Sequence, residues 1–177
     1  MKKNKKNIQW FIIIILFISC YRHYNSEKTT TVVELEKITK SDISALQELN
    51  TIDVENSLKI AKLNLSKIEE KKLDSIEIRL IYFEYHNYLN CVNKLYENFQ
   101  NINALKKILT KNQFQLKNIK SDYKNSRERR VDLDKHLLHE KNIVNKTSNK
   151  VFNTIKSINE EKIKFDNLNS KIEEILN

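Results

Sequence analysis

The sequence predicts an all-α protein: an elongated antiparallel helical hairpin or coiled coil, with a short extra helix forming a three-helix base. Three observations carry that expectation. The 177 residues include no glycine and no proline, so turns that need a positive φ or a fixed proline φ lack their usual residues. Leu, Glu, Lys and Ile are abundant and favour helix. Beyond residue 50 the apolar side chains recur every three or four positions, the repeat of one helix face. The length fits one domain.

The first 20 residues stand apart. Lys2, Lys3, Lys5 and Lys6 lead without an acid, and an apolar run follows from Trp10 to Ile18. That run is too short for a spanning helix, which needs roughly 20 residues. A basic start, a short apolar core and the small Ser19 make residues 1–19 a signal peptide. Leu16-Phe17-Ile18-Ser19-Cys20 resembles the lipobox of bacterial lipoproteins processed by the lipoprotein signal peptidase. Ser19 and Cys20 match that pattern, while Phe17 stands for the usual Leu and Ile18 is bulkier than usual. The resemblance covers these 20 residues alone. It implies a diacylglyceryl thioether on Cys20, cleavage before it, acylation of the new N-terminus by a palmitate-type chain, and so attachment to a membrane of the bacterial cell envelope; the outer membrane is the expected one, with inner versus outer membrane and the periplasmic or surface side left open. Two or more acyl chains hold stably, at about 0.8 kcal/mol per buried methylene.

With lipid on Cys20, Cys91 has no second cysteine in the chain to pair with. It is expected to pack as a small buried hydrophobe. The formal net charge of +9 includes the four leader lysines; without residues 1–19, 28 basic side chains face 23 acidic ones. That mild excess weakens a nucleic-acid reading, which wants a concentrated basic face.

Residues 20–50 read as a flexible tether, polar from Tyr21 to Lys40, with a short helix possible from Ser41. Residues 51–177 read as the helical hairpin domain. Its first helix, about 54–71, is expected to be capped by Asp53 and carries a single stripe: Val54, Leu58, Ala61, Leu65 and Ile68. The second, about 75–99, is apolar around much of its circumference, from Ile76 through Tyr88 and Val92 to Phe99. Such a helix is expected to be contacted from two sides. Between Leu95 and Leu109 the run Leu95, Phe99, Ile102, Leu105, Leu109 loses one step of the heptad, which predicts a bend, a local break or overwinding before a third helix at about 103–125. A turn at about 126–131 forms the far tip of the arm. The last helix, about 132–175, returns along a face that includes Leu137, Val144, Val151, Ile158, Phe165 and Ile172.

Little in the pattern points to catalysis. His136 and His139 lie three residues apart beside Glu140, but His23 and His86 are distant in sequence, so no metal and no cofactor are expected. The carboxylate pairs Asp132/Asp134 and Glu69/Glu70 have no recognisable pocket to shift a pKa. The aromatic residues of the second helix are expected in the core. Arg127, Arg129 and Arg130 put guanidinium groups on the turn, where they suit an acidic partner or phosphate groups. The expected function is a non-enzymatic, membrane-anchored scaffold or protein-interaction module working through its helical faces, by a protein partner or self-association. A surface-exposed lipoprotein that binds host or environmental ligands is the alternative.

Overall fold

The computed structural model describes the backbone of residues 3–71, 75–125 and 130–176, with side chains over 26–71, 79, 81–124 and 131–176. Among the described residues the fold is all-α: α1 (Lys3–Glu48), α2 (Thr51–Glu70), α3 (Ser75–Asn125) and α4 (Arg130–Leu176). The chain forms two compact units. Unit 1 holds Met1–Lys40 and Thr110–Asn145; unit 2 holds Ser41–Leu109 and Lys146–Asn177.

Unit 1 packs three helices. Val32 and Leu35 of α1 meet Leu116, Ile119 and Tyr123 of α3 and Leu133, Leu137 and Val144 of α4. The Tyr123 hydroxyl donates to Asp134 Oδ1 at 2.6 Å, which ties the end of α3 to the start of α4. Lys28 reaches Asp134 at 3.7 Å, and Lys120 reaches Glu36 Oε2 at 2.6 Å. Lys28 is therefore level with the α3–α4 connection, and Glu36 lies further from it. Within this unit α1 runs parallel to α4 and antiparallel to α3.

Unit 2 is also three helices thick, but α2 takes over from α1 as the third member. Leu46 of α1 packs with Leu105, Leu109 and Val151, while Val54 and Ala61 of α2 pack with Tyr88, Leu95, Ile158 and Phe165. Only Leu49 and Asn50 separate the two helices. Asn50 caps α2, its side-chain oxygen accepting from the Asp53 backbone N–H at 3.2 Å. Asp53 is thus a first-turn acid and not the expected cap. Its carboxylate suits the positive end of the helix dipole and also takes Lys162 Nζ at 3.3 Å.

Two of the sequence expectations are corrected. Residues 26–48 are not a tether but the second half of α1, and no separate helix begins at Ser41. Val32, Leu35, Thr39, Asp42 and Leu46 step by three and four along it. That is a seam helix whose polar members hide it from a search for apolar residues alone. Similarly, the expected break near residue 100 is absent: α3 is continuous from Ser75 to Asn125. The true seam is Tyr88, Cys91, Leu95, Asn98, Ile102, Leu105, Leu109, Asn112, Leu116, Ile119 and Tyr123, with no step lost. Asn98 occupies the position that Phe99 had been given. Its amide donates to Ser157 Oγ at 2.9 Å and to the Lys94 carbonyl at 2.8 Å, so the polar group is satisfied at the seam.

If residues 26–48 form an integral helix, Leu35→Ala removes a fully packed side chain and lowers stability by about 2–5 kcal/mol. Urea denaturation followed by circular dichroism measures it; an unchanged midpoint would mean the segment is a free tether after all.

Candidate functional site

The seam itself is the first place to look for chemistry, because it buries polar groups. In α4 one column of the heptad is wholly apolar from Leu137 to Ile172. The other column runs Leu133, Glu140, Thr147, Thr154, Glu161, Leu168 and Ile175. Its middle members are buried although polar, and burial without partners is costly.

In unit 2 other polar groups at and beside the seam are matched to neighbours. Asn169 Oδ1 accepts from both Asn64 Nδ2 and the Tyr88 hydroxyl, each at 2.9 Å. Burial pushes the Tyr88 phenol up to about 12, against the hydrogen bond from Asn64 that favours its charged form. Tyr88 also stacks on Phe165 with ring centroids 5.6 Å apart. One rung therefore joins α2, α3 and α4. Lys162 makes another tie. Burial disfavours its charge, but hydrogen bonds to Asp166 and Asp53 outweigh that and hold its pKa above the usual lysine value.

Cys91 is buried and unpaired, and its thiol donates to the Glu161 carbonyl oxygen at 3.2 Å. Burial first, and then the adjacent Glu161, push the thiol up to about 12. Such a group is inert, because the thiolate is the nucleophile. Beside it lies a recess of ≈ 400 Å³ lined by Asn87, Asn90, Lys94, Lys164 and Asn167. Glu161 is held there by Lys164 at 2.8 Å. This is a satisfied ion pair beside a protonated thiol, and no nucleophile is activated.

A second concavity in unit 2 is apolar. A groove of ≈ 630 Å³ between α2 and α3 has Leu58, Leu65, Val92, Tyr96 and Phe99 in its lining, with Glu55, Lys59, Lys62 and Glu69 also along it. Tyr96 is exposed here. So are Tyr82 and Phe83 further up α3, with His86 stacked on Tyr82 at 5.5 Å. The expectation that the aromatics of this helix all belong to the core is therefore corrected. Tyr88 is buried and Phe99 packs against the core, but three others face solvent. Periodicity identified the apolar arc of α3 but not how much of it α2 and α4 cover.

The remaining candidate residues fall as follows. His136 and His139 are exposed on α4 in unit 1, and Glu140 is buried beside them. Among the described residues no group of three His, Cys, Asp or Glu side chains could hold a metal ion. Glu69 and Glu70 are exposed; Glu70 accepts from Ser66 Oγ at 3.2 Å. Asp134 is tied to Tyr123 and Lys28, as above, and Asp132 lies 4.0 Å from Lys135. Cys20 lies within α1, but its side chain is outside the described residues, as are those of His23 and Arg130. Arg130 is the first residue of α4, and Arg127 and Arg129 lie outside the described residues altogether. Among the described residues no helix is long and apolar enough to cross a membrane. The chain matches no protein-family model, no curated protein and no solved structure.

Two outcomes test this description. Native protein at pH 8 is expected to leave Cys91 unmodified by iodoacetamide, with full modification after unfolding in guanidinium; mass spectrometry of the Cys91 peptide reads both. Rapid native labelling would contradict a buried, protonated thiol. Glu140 supplies the second. Burial raises its carboxyl above the usual value, against the lowering effect of His139 and Lys111. A raised folded-state pKa means that the ionised form costs stability, and that the cost fades as pH falls through the folded value. Glu140→Gln is therefore expected to melt higher than the parent at neutral pH and to match it near about pH 4. Thermal unfolding of both proteins across that range measures the convergence, and a constant offset would assign the effect elsewhere.

Proposed function

We propose that the chain is a lipid-anchored helical scaffold or interaction module of the bacterial cell envelope, with no catalytic role. The observation that carries the anchor is the Ser19-Cys20 pair at the end of a basic and then apolar leader. Two kinds of feature support the scaffold reading. The polar groups described at the seam are tied into hydrogen bonds and ion pairs or pushed toward unreactive protonation states. The exposed apolar surface lies in an open groove between α2 and α3, with Tyr82 and Phe83 further along α3. A groove between two helices suits the apolar face of a third, from a partner protein or from another copy.

The competing reading, a ligand-binding protein displayed on the cell surface, draws on the exposed Tyr82, Phe83 and Tyr96. Protease shaving of intact cells separates the two: loss of the protein means surface display, and protection means that it faces inward.

The anchor is tested by metabolic labelling with a palmitate analogue. The parent chain is expected to incorporate label and to float with membranes after leader removal. Cys20→Ala is expected to lose the label and remain unprocessed. A mature, membrane-bound Cys20→Ala protein would sink the lipid anchor.

A further inference from the structure

The core seam is not the only heptad column on α3. Tyr82, Tyr85, Leu89, Val92, Tyr96 and Phe99 step alternately by three and four, the spacing of a second coiled-coil seam. This column turns toward the groove between α2 and α3, whose lining includes Val92, Tyr96 and Phe99. α2 covers it only in part. Val92 is buried and Tyr85, Leu89 and Phe99 are half-buried, but Tyr82 and Tyr96 are 59% and 54% exposed. His86, stacked on Tyr82, widens the surface. The next positions, Asn103 and Lys106, are polar and end it.

The order of the side chains points to the occupant. From either end the column reads two aromatics, two aliphatics, two aromatics. An antiparallel second copy therefore meets it like for like: Tyr82 against Phe99, Tyr85 against Tyr96, and Leu89 against Val92. A twofold interface needs this kind of self-match. Charge selects the same arrangement. The exposed outer flank of the column is Arg79, His86, Asn93 and Gln100, with no acid. A parallel copy would set Arg79 against Arg79, whereas the antiparallel one sets Arg79 beside Gln100 and His86 beside Asn93. On the α2 rim Glu55 is paired with Lys59 at 3.0 Å, and Lys62 and Glu69 add one charge of each sign. This rim is thus balanced, on a chain whose basic residues outnumber its acids. The column is about 26 Å long. Pairing two of them covers roughly 1,000 Å² in all, near the lower bound for a specific interface.

We propose that the α2–α3 groove of unit 2 takes α3 of a second copy of this chain, antiparallel, with the twofold axis between Leu89 and Val92. The inference rests on the reading of this groove as an interaction surface and names its partner. A contact of this size makes a dimer that forms and parts rather than a permanent one.

The test uses the full chain in intact cells. Arg79→Cys and Gln100→Cys chains, carrying different tags, are co-expressed and treated with a short bis-maleimide; the parent chain, with Cys91 buried, sets the background. Across the axis Arg79 and Gln100 are offset by about 3 Å along the helix, whereas Arg79 lies about 35 Å from its own counterpart and Gln100 about 28 Å. The expected result is a mixed dimer at least about fivefold above the dimer from either variant alone. Efficient crosslinking of Arg79→Cys to itself overturns the antiparallel pairing, and no dimer above background overturns the second copy. A photoreactive benzophenone amino acid in place of Tyr96 separates this inference from the reading beneath it. An adduct of two chains supports the second copy. An adduct with another protein overturns the second copy and leaves the groove as an interaction surface, and no adduct overturns both.

Discussion

The structure depends on burying one side chain at every third and fourth position of long helices that have no glycine or proline to interrupt them. That constraint explains why two compact units are built from so few elements. A heptad seam gains roughly 1.5–3 kcal/mol for each large apolar side chain it removes from water. The gain is not selective, since any apolar column packs against any other. Selectivity comes from the second column of α4, where Glu140, Thr147, Thr154 and Glu161 replace apolar residues. Shifting α4 by one heptad in unit 2 would take Asn169 away from Asn64 and Tyr88 and would strand buried polar atoms. Polar seam positions of this kind fix register at some cost in stability. The rung of Asn64, Tyr88 and Asn169 does so in unit 2 across all three helices.

The same polar seam positions governed what could be read from the sequence. The all-α class followed from composition and repeat, and the last helix was legible because its apolar column is unbroken from Leu137 to Ile172. The frame of α3 was lost at Asn98, where an asparagine satisfied by Ser157 and a backbone carbonyl sits in a place that pattern reading reserves for an apolar residue. Leu95, Ile102 and Leu109 keep perfect spacing once Asn98 is admitted. The second half of α1 was missed for a related reason. Thr39 and Asp42 dilute its stripe, and Thr39 returns its hydroxyl to the Leu35 carbonyl at 2.9 Å. Exposure of Tyr82, Phe83 and Tyr96 was illegible for another reason: a repeat says which residues share a face, not whether a neighbour covers it.

Four buried or half-buried titratable groups share a direction. The Cys91 thiol, the Tyr88 phenol and the Asp42 and Glu140 carboxyls are all displaced toward their neutral forms, with burial the largest cause in each. Asp42 comes nearest to an anomaly, with Oδ1 bonded to Ser148 and Oδ2 buried without a partner. Burial raises the Asp42 carboxyl above its usual value, against the lowering effect of its hydrogen bond with Ser148. What reaches outward in unit 2 is the groove between α2 and α3.

The last turn of α4 is held in an unusual way. A helix leaves its final carbonyls without partners, and α4 carries no basic residue of its own there. Lys71, just past α2, supplies one instead, its ammonium donating to the Ile175 carbonyl at 2.7 Å. The C-terminal ends of two parallel helices are thereby fastened by a single cation. Fraying of α4, which normally peels a helix end one residue at a time, must here also break that bond. The last turn of α4 thus loosens only after an ammonium held on a second helix has let go.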